Sequence, residues 1–158
     1  MKRIATFFKV SETEFLKSGT KEEYAAVVLP RRATSGSAGY DFFAPKPFTL
    51  AAGESIKIPT GVRCKIDEGW VLKIYPRSSL GFKYRLQLDN TVGIIDSDYY
   101  FAENEGHIFI KLTNCGNAPL SVEKGAAFAQ GIFIEYGITT DDACETKRTG
   151  GIGSTDKK

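Results

Sequence analysis

Asp96 stands directly behind the apolar segment 92–95, in a position where a carboxylate can do acid–base chemistry. A carboxylate at the end of a buried strand can act as a general base, because partial burial and neighbouring groups tune its pKa. The acidic stretch 96–99 fits an Asx turn that caps a hairpin equally well. The sequence around Asp96 therefore predicts either a general base or a structural turn.

Two further stretches carry groups that suit anions. Arg77, Ser78 and Ser79 stand in a predicted turn, where a guanidinium fork and two hydroxyls could hold an anion. In the glycine-rich stretch 148–155, backbone N–H groups can approach a phosphate, and Arg, Ser and Thr side chains add donors. A solvated turn and a flexible tail are the plainer interpretations of these two stretches.

Gln130 is the fourth feature, because the alternation predicts that it shares one strand face with Phe128 and Ile132. An amide among apolar residues needs a hydrogen-bond partner, either the backbone or a ligand. The four features, in a sequence without a nucleophile triad or a metal-ligand cluster, fit hydrolysis of a phosphoanhydride by activated water. In such reactions a cation on the phosphates, usually Mg²⁺, supplies the electrostatic stabilisation.

Short strands must position these groups. Segments with period-two alternation, separated by Gly and Pro turns, lie at 55–58, 70–75, 107–112 and 127–134. Such a pattern predicts a β-sandwich or barrel. One helix is also predicted, because Ser11 and Glu14 have capping-box spacing and Gly19 could end it.

Composition excludes several classes of protein. The 21 Lys and Arg residues nearly balance the 19 Asp and Glu residues, so charge alone gives no indication of a nucleic-acid partner. Cys64, Cys115 and Cys144 are odd in number and far apart, which argues against a disulfide framework or a cysteine zinc site. We find neither an apolar run of membrane-spanning length nor a secretion signal, so the default location is the cytoplasm.

Five stretches of the chain, in order, resemble the five motifs of the homotrimeric dUTPases (deoxyuridine 5′-triphosphate nucleotidohydrolases). They are 38–44 (AGYDFFA), 76–81 (PRSSLG), 90–99 (NTVGIIDSDY), 124–130 (KGAAFAQ) and 148–155 (RTGGIGST). Each motif alone is a weak signal, whereas five in the family's order are specific. The resemblance implies an all-β, dUTPase-like β-barrel or jelly roll (β-clip), with one short helix possible. It also implies a domain over 1–146 and a mobile C-terminal tail over 147–158, which closes over a neighbouring subunit's site.

The same resemblance implies a reaction. Water, oriented and deprotonated by Asp96, would attack the α-phosphorus of dUTP and release dUMP and pyrophosphate. Mg²⁺ would be the cofactor, held mainly by the triphosphate, with Asp41 and Gln130 contacting it through water. The activity would limit uracil in DNA and supply dUMP for dTMP synthesis, in the cytoplasm of a bacterial or phage-infected cell.

The resemblance also assigns substrate contacts. Tyr99 would stack on the deoxyribose and leave no room for a 2′-hydroxyl. The hairpin 90–99 would recognise uracil, through Asn90, Gly93, Ile94 and Ile95. Arg77, Ser78, Ser79 and Gln130 would contact the phosphates. The closing tail would contact the nucleotide through Arg148, Ile152, Gly153 and Ser154.

The sequence departs from the family pattern at three places. In one of them, Ala126 or Ala127 stands where the fourth motif usually has a basic residue, and Asp156 replaces a usual Gly. Ile152 stands where the family has an aromatic residue over the uracil, and Phe109, Phe101 or Tyr100 could take its place. An acidic insertion, 100–105, follows the third motif; it is either a longer loop or a contact surface for a partner. In the fifth motif, Lys147 is an alternative to Arg148 as the basic residue.

Two other functions stay open from the sequence. A dCTP deaminase, or a bifunctional enzyme, shares this fold and similar phosphate motifs, although the match at 94–96 and Tyr99 favours the hydrolase. A phage-type dUTPase that also binds a regulatory protein is the second alternative, and the insertion 100–105 is its support.

Overall fold

Short antiparallel strands make up most of the regular structure in the computed structural model, which describes residues 1–146, 148 and 150. The strands are β1 (Ala5–Lys9), β2 (Arg31–Arg32), β3 (Tyr40–Phe43), β4 (Phe48–Leu50), β5 (Ser55–Pro59), β6 (Val62–Ile66), β7 (Trp70–Pro76), β8 (Leu86–Leu88), β9 (Gly93–Ile95), β10 (Phe109–Asn114), β11 (Leu120–Val122) and β12 (Ala127–Glu135). Helices are α1 (Glu12–Phe15), α2 (Lys21–Ala25) and α3 (Ser78–Tyr84), with a 3₁₀ turn at Ser97–Phe101. The prediction of an all-β fold is confirmed.

Four sheets share these strands. The largest has the order β2-β3-β12-β7-β9, and a second has the order β5-β10-β8. Two pairs, β1-β6 and β11-β4, complete the set, and all the pairings are antiparallel. Because β12 and β7 each pair with a strand on both sides in the largest sheet, the side chains on these two strands have well-fixed positions.

The hydrophobic core lies between the sheets. Along β10, Ile110 and Leu112 are buried whereas Lys111 is exposed, so the predicted alternation is confirmed there. The largest fully buried apolar side chains are Phe15, Phe42, Ile58, Leu72, Ile74, Leu86, Ile108, Ile110, Leu112, Leu120 and Phe128. Each such side chain contributes roughly 1.5–3 kcal/mol through the hydrophobic effect.

A β-bulge changes the face of β12 that Gln130 occupies. The pairing with β3 shifts register between Ala127 and Ala129, and both Phe128 and Ala129 are fully buried. Beyond the bulge, a Cβ at Gly131 would point at the core side chains of Leu72 and Phe42. The prediction that Gln130 shares a face with Phe128 is therefore wrong, since one extra residue reverses the alternation.

The helix after Ser11 is only partly as predicted. Ser11 is its N-cap and its Oγ accepts the Glu14 N–H at 3.1 Å, but α1 ends at Phe15, before Gly19. The Glu14 side chain turns inward and pairs with Lys17 instead of closing a capping box. A complete capping box is present at the start of α2, where the spacing of Thr20 and Glu23 repeats the same signal.

Ser78 and Ser79 begin helix α3, so the prediction of a turn at these residues is wrong. Leu80 and Tyr84, four residues apart on this helix, are partly buried and pack against the core. That spacing places both side chains on one helix face. Among the described residues, no helix is both long and apolar enough to cross a membrane.

Candidate active site

The first pocket is a cavity of about 520 Å³ beside strand β9. It contains seven of the predicted site residues, namely Asn90, Gly93, Ile94, Ile95, Asp96, Tyr99 and Arg148. Its other walls come from strands β5, β7, β8 and β10 and from the residues next to β8 and β10. These wall residues are Lys57, Ile74, Leu88, Asp89, Ile108, Phe109, Ile110 and Lys111. A volume of this size is typical of small-molecule sites.

Tight packing of β9 against β7 shapes this pocket. Gly93 pairs with Ile74, and a Cβ at Gly93 would lie 3.0 Å from the Ile74 Cβ. Only glycine allows so close an approach without a shift of the neighbouring strand. Before the strand, Thr91 has φ 64°, which turns the backbone so that the Val92 N–H donates to the Asn90 carbonyl at 2.6 Å.

Asp96 follows β9 and stands at the rim of the first pocket. Its backbone is extended, its carbonyl accepts the Tyr99 N–H at 3.2 Å, and its side chain makes no cap hydrogen bond to the turn that follows. The carboxylate instead accepts a hydrogen bond from Arg148 Nη2 at 2.8 Å, while Arg148 Nε donates to Asp98 Oδ1 at 2.9 Å. The Asx-turn interpretation of the acidic stretch is therefore wrong, because this carboxylate is directed to a cation.

Tyr99 forms a buried wall of the same pocket. Its Oη donates to the His107 carbonyl at 2.8 Å and accepts from Asn104 Nδ2 at 2.9 Å. Burial raises the pKa of the Tyr99 phenol, so the phenol stays a donor at neutral pH. The tyrosine ring is therefore held by its outer end.

The second pocket is an open depression of about 530 Å³ on the five-stranded sheet. It contains three predicted site residues, Arg77, Ser78 and Gln130, beside Tyr75, Pro76, Gly81, Phe82 and Ile132. Arg77 Nε lies 3.4 Å from Asp41 Oδ1, so a carboxylate orients the guanidinium. Ser79 is exposed on α3, next in sequence to Ser78.

Gln130 lies between Asp41 and Tyr75 in the sheet register. Its Nε2 donates to the Pro76 carbonyl at 3.0 Å, so the backbone supplies one of the partners that its amide needs. A Cβ at Gly39 would lie 2.8 Å from Gln130 Oε1, which means that a glycine at this position leaves room for the amide oxygen.

The predicted site residues thus fall into two separate groups. Among the described residues, none lines both pockets. Ile74 lines the first pocket and Tyr75 the second, and consecutive strand residues face opposite sides of a sheet. The two pockets of a single chain therefore lie on opposite faces of β7.

Three predicted contacts, Ile152, Gly153 and Ser154, lie outside the described residues. Of the three aromatic candidates to replace Ile152, Phe109 lines the first pocket. Phe101 and Tyr100 are not among its lining residues, and Phe101 is largely exposed.

Sequence reasoning missed the charged groups of the first pocket. Lys57 Nζ lies 4.5 Å from the Phe109 ring centroid, and Lys111 Nζ lies 2.7 Å from Asp89 Oδ2. The alternation along β10 could have indicated one of them, because it places Phe109 and Lys111 on the same face. Because Asp89 pairs with Lys111 and Asp96 pairs with Arg148, much of the positive charge in this pocket is already compensated.

Comparisons with known proteins bear on the family and the fold. The dUTPase family model matches residues 25–155. The Lactococcus lactis protein named deoxyuridine 5′-triphosphate nucleotidohydrolase is 42% identical over 139 residues, which cover 86% of this chain and 93% of that protein. The crystal structure of dUTPase from Streptococcus mutans has a TM-score of 0.67 and 34% identity, covering 84% of this chain and 97% of that one.

A phage enzyme shows the same fold at lower identity. A mutant dUTPase from phage phi11 of Staphylococcus aureus, described with a structural Mg(II) ion, has a TM-score of 0.66. It is 19% identical and covers 91% of this chain and 98% of that one, so this similarity bears on the fold alone.

Proposed function

The chain belongs to the dUTPase family, and from that premise we propose how its two groups of site residues divide the work on dUTP. The proposal rests on one observation, the position of Asp96 at the rim of a pocket that Arg77 and Gln130 do not reach. The nucleoside would occupy the first pocket of one subunit. The phosphates would lie against the second pocket of a neighbouring subunit.

Asp96 is the proposed general base. Its carboxylate would take a proton from a water whose oxygen forms a bond to the α-phosphorus. The bond from that phosphorus to the bridging oxygen of the β-phosphate breaks, and pyrophosphate leaves. A half-exposed carboxylate that makes no hydrogen bond to its own turn can accept such a proton once Arg148, which binds it here, turns to the phosphates.

The walls of the first pocket support selection of the nucleoside. We propose that backbone groups between Asn90 and Ile95 pair with the uracil edge, and that the Tyr99 ring packs against the deoxyribose. Cytosine would present the opposite donors and acceptors and leave buried groups unpaired. The names of the curated relatives also favour the hydrolase over a deaminase.

The second pocket is the proposed phosphate site. Arg77, already oriented by Asp41, would present its guanidinium to the phosphates, and Ser78, Ser79 and Gln130 would add donors. Because this pocket is on the other face of β7, the site needs a second copy of the chain. We therefore propose a homotrimer with shared sites, in which the 147–158 segment, with Arg148, Ile152, Gly153 and Ser154, closes over bound nucleotide.

Mg²⁺ is the proposed cofactor. Asp41 and Gln130 are register partners in β3 and β12, and they offer one carboxylate and one amide oxygen. Oxygen donors suit Mg²⁺, which keeps several waters and takes phosphate oxygens as ligands, so the two side chains fit contact through water. With the triphosphate bound, the ion would offset the phosphate charge.

Limiting uracil in DNA and supplying dUMP for dTMP synthesis, in the cytoplasm, are the proposed roles. Binding of a regulatory protein at 100–105 stays a prediction.

A nucleotide panel tests the selectivity. Purified protein with Mg²⁺ should release pyrophosphate from dUTP far faster than from dCTP, dTTP or UTP, and should release no ammonia from dCTP. Comparable rates on all four nucleotides would refute the proposed roles of the pocket walls.

Subunit mixing tests the shared site. The Asp96→Asn and Arg77→Ala variants should each be nearly inactive, but a random 1:1 mixture of their subunits should regain activity in about a quarter of all sites. Light scattering should give three times 17.3 kDa for the parents and for the mixture. Mixed trimers without any regained activity would show that one chain supplies both groups.

A further inference from the structure

Asn104 lies in the insertion 100–105 and reaches the wall of the first pocket. Its Nδ2 donates to Tyr99 Oη at 2.9 Å, and its Oδ1 accepts the Gly106 N–H at 3.2 Å. We propose that Asn104 is a positioning residue, which fixes the Tyr99 phenol and thereby sets how strongly the site selects deoxyribose over ribose. The inference rests on the proposed contact of Tyr99 with the sugar.

The hydrogen bonds at Tyr99 Oη leave the ring little freedom. The single phenolic proton is used on the His107 carbonyl, so the oxygen needs a donor from elsewhere to be satisfied. Asn104 supplies that donor from a second direction. Exclusion of a 2′-hydroxyl is a steric effect, and a ring that can swing away from the sugar excludes it less well.

The backbone around Asn104 is itself anchored. The neighbouring Glu105 has φ 56°, and its carboxylate accepts the Ser11 N–H at 2.8 Å and the Ser11 hydroxyl at 2.6 Å. Arg63 Nη1 lies 3.6 Å from the same carboxylate. The cap of helix α1 therefore holds the insertion in place, and Asn104 is presented to Tyr99 from a fixed support.

The test is a measurement of sugar selectivity in the intact enzyme. Asn104→Ala should lower the ratio of kcat/KM for dUTP to kcat/KM for UTP by about fivefold, the effect of one hydrogen bond. The matched control is Glu103→Ala, an exposed residue of the same insertion, which should leave the ratio within about twofold. A purely structural role of Asn104 would lower the melting temperature and leave this ratio unchanged, which would overturn the inference.

Tyr99→Phe removes the same hydrogen bond from its other end. The ratio should fall at least as far as in Asn104→Ala, because the hydrogen bond to the His107 carbonyl is lost as well, and the double variant should fall no further than Tyr99→Phe alone. An additional loss in the double variant would overturn the inference, because Asn104 would then act by another route. If Asn104→Ala does not fold, an unchanged ratio in Tyr99→Phe overturns the inference by itself.

Tyr99→Ala separates this inference from the proposed function. Collapse of the selectivity in Tyr99→Ala, together with an unchanged ratio in Asn104→Ala, would overturn only the role of Asn104. Full selectivity in Tyr99→Ala would remove the proposed sugar contact, and the inference would fall with it.

Discussion

The Arg148 guanidinium binds the Asp96 carboxylate, with 2.8 Å between Nη2 and Oδ2. Its Nε holds Asp98 at the same time, so a single cation bridges two carboxylates at the pocket rim. The carboxylates are about half exposed, whereas the Arg148 side chain is mostly covered. If Asp96 is the base that we propose, a bound nucleotide has to displace this cation, and its phosphates offer the guanidinium another anionic partner.

Asp96→Asn should lower turnover of dUTP by at least about 100-fold, because an amide cannot accept the proton from water. Binding should persist, since the pocket walls are unchanged. Pyrophosphate release and calorimetry with a non-hydrolysable dUTP analogue measure the two effects. The control is Asp67→Asn, an exposed carboxylate outside both pockets, with near-normal rates expected. Near-normal turnover in Asp96→Asn would mean that another group is the base.

Gly106→Ala should destabilise the protein more than Gly53→Ala. Both glycines have positive φ, at 70° and 82°, so an alanine is strained at either position. A Cβ at Gly106 would also lie 2.6 Å from the Tyr99 carbonyl oxygen, whereas a Cβ at Gly53 would meet no atom within 4 Å. The added clash is expected to cost about 1–3 kcal/mol, or very roughly 2–10 °C in Tm. Equal melting temperatures would show that the loop adjusts freely.

His107 should make stability depend on pH. Burial lowers the pKa of this imidazole to about 4, against the opposing effect of Glu14 and Glu105, while Lys57 adds to the lowering. The unfolded chain, with a pKa near 6.5, binds the proton more readily than the folded chain. Stability is therefore fully present above about pH 6.5 and is lost as the pH falls towards 4.

Denaturant titrations at one protein concentration measure this loss. Between about pH 7.5 and pH 5.5 the free energy of unfolding should fall by about 1 kcal/mol. His107→Gln retains an acceptor for the Gly61 N–H, which His107 Nε2 accepts at 3.0 Å, but does not titrate. The variant should lose about 1 kcal/mol less than the parent over this interval. The same slope in both proteins would contradict the assignment to His107.

Cys64 should resist thiol reagents in the native protein. Burial raises the pKa of its thiol to about 12, while Cys115 and Cys144 are exposed. Titration with an aromatic disulfide should therefore label Cys115 and Cys144 promptly, and Cys64 only after denaturant is added. Labelling of Cys64 as fast as Cys115 would show that β6 opens readily.

The sequence predicted the fold class better than the spatial arrangement of the predicted site residues. The alternation of apolar and polar residues predicted β7 and β10, because every second side chain of a half-buried strand faces the core. The bulge in β12 has no such mark, and for that reason Gln130 was expected on the wrong face. Glu14 has the right spacing for a capping box, but its side chain turns inward, where it pairs with Lys17 and its Oε1 lies 3.9 Å from Nδ1 of the buried His107. Local sequence patterns do not carry this tertiary effect. The division of the site between two pockets depends on which face of β7 each residue takes.

Because of the bulge between Ala127 and Ala129, the face that each side chain of β12 occupies depends more on the length of the strand than on its composition. Removal of one residue there would restore plain alternation and exchange the faces of the rest of the strand. Gln130 and Ile132 would then point into the core, and Gly131 would point to the second pocket. Over evolutionary time, substitutions along this strand should be accepted far more readily than single-residue deletions.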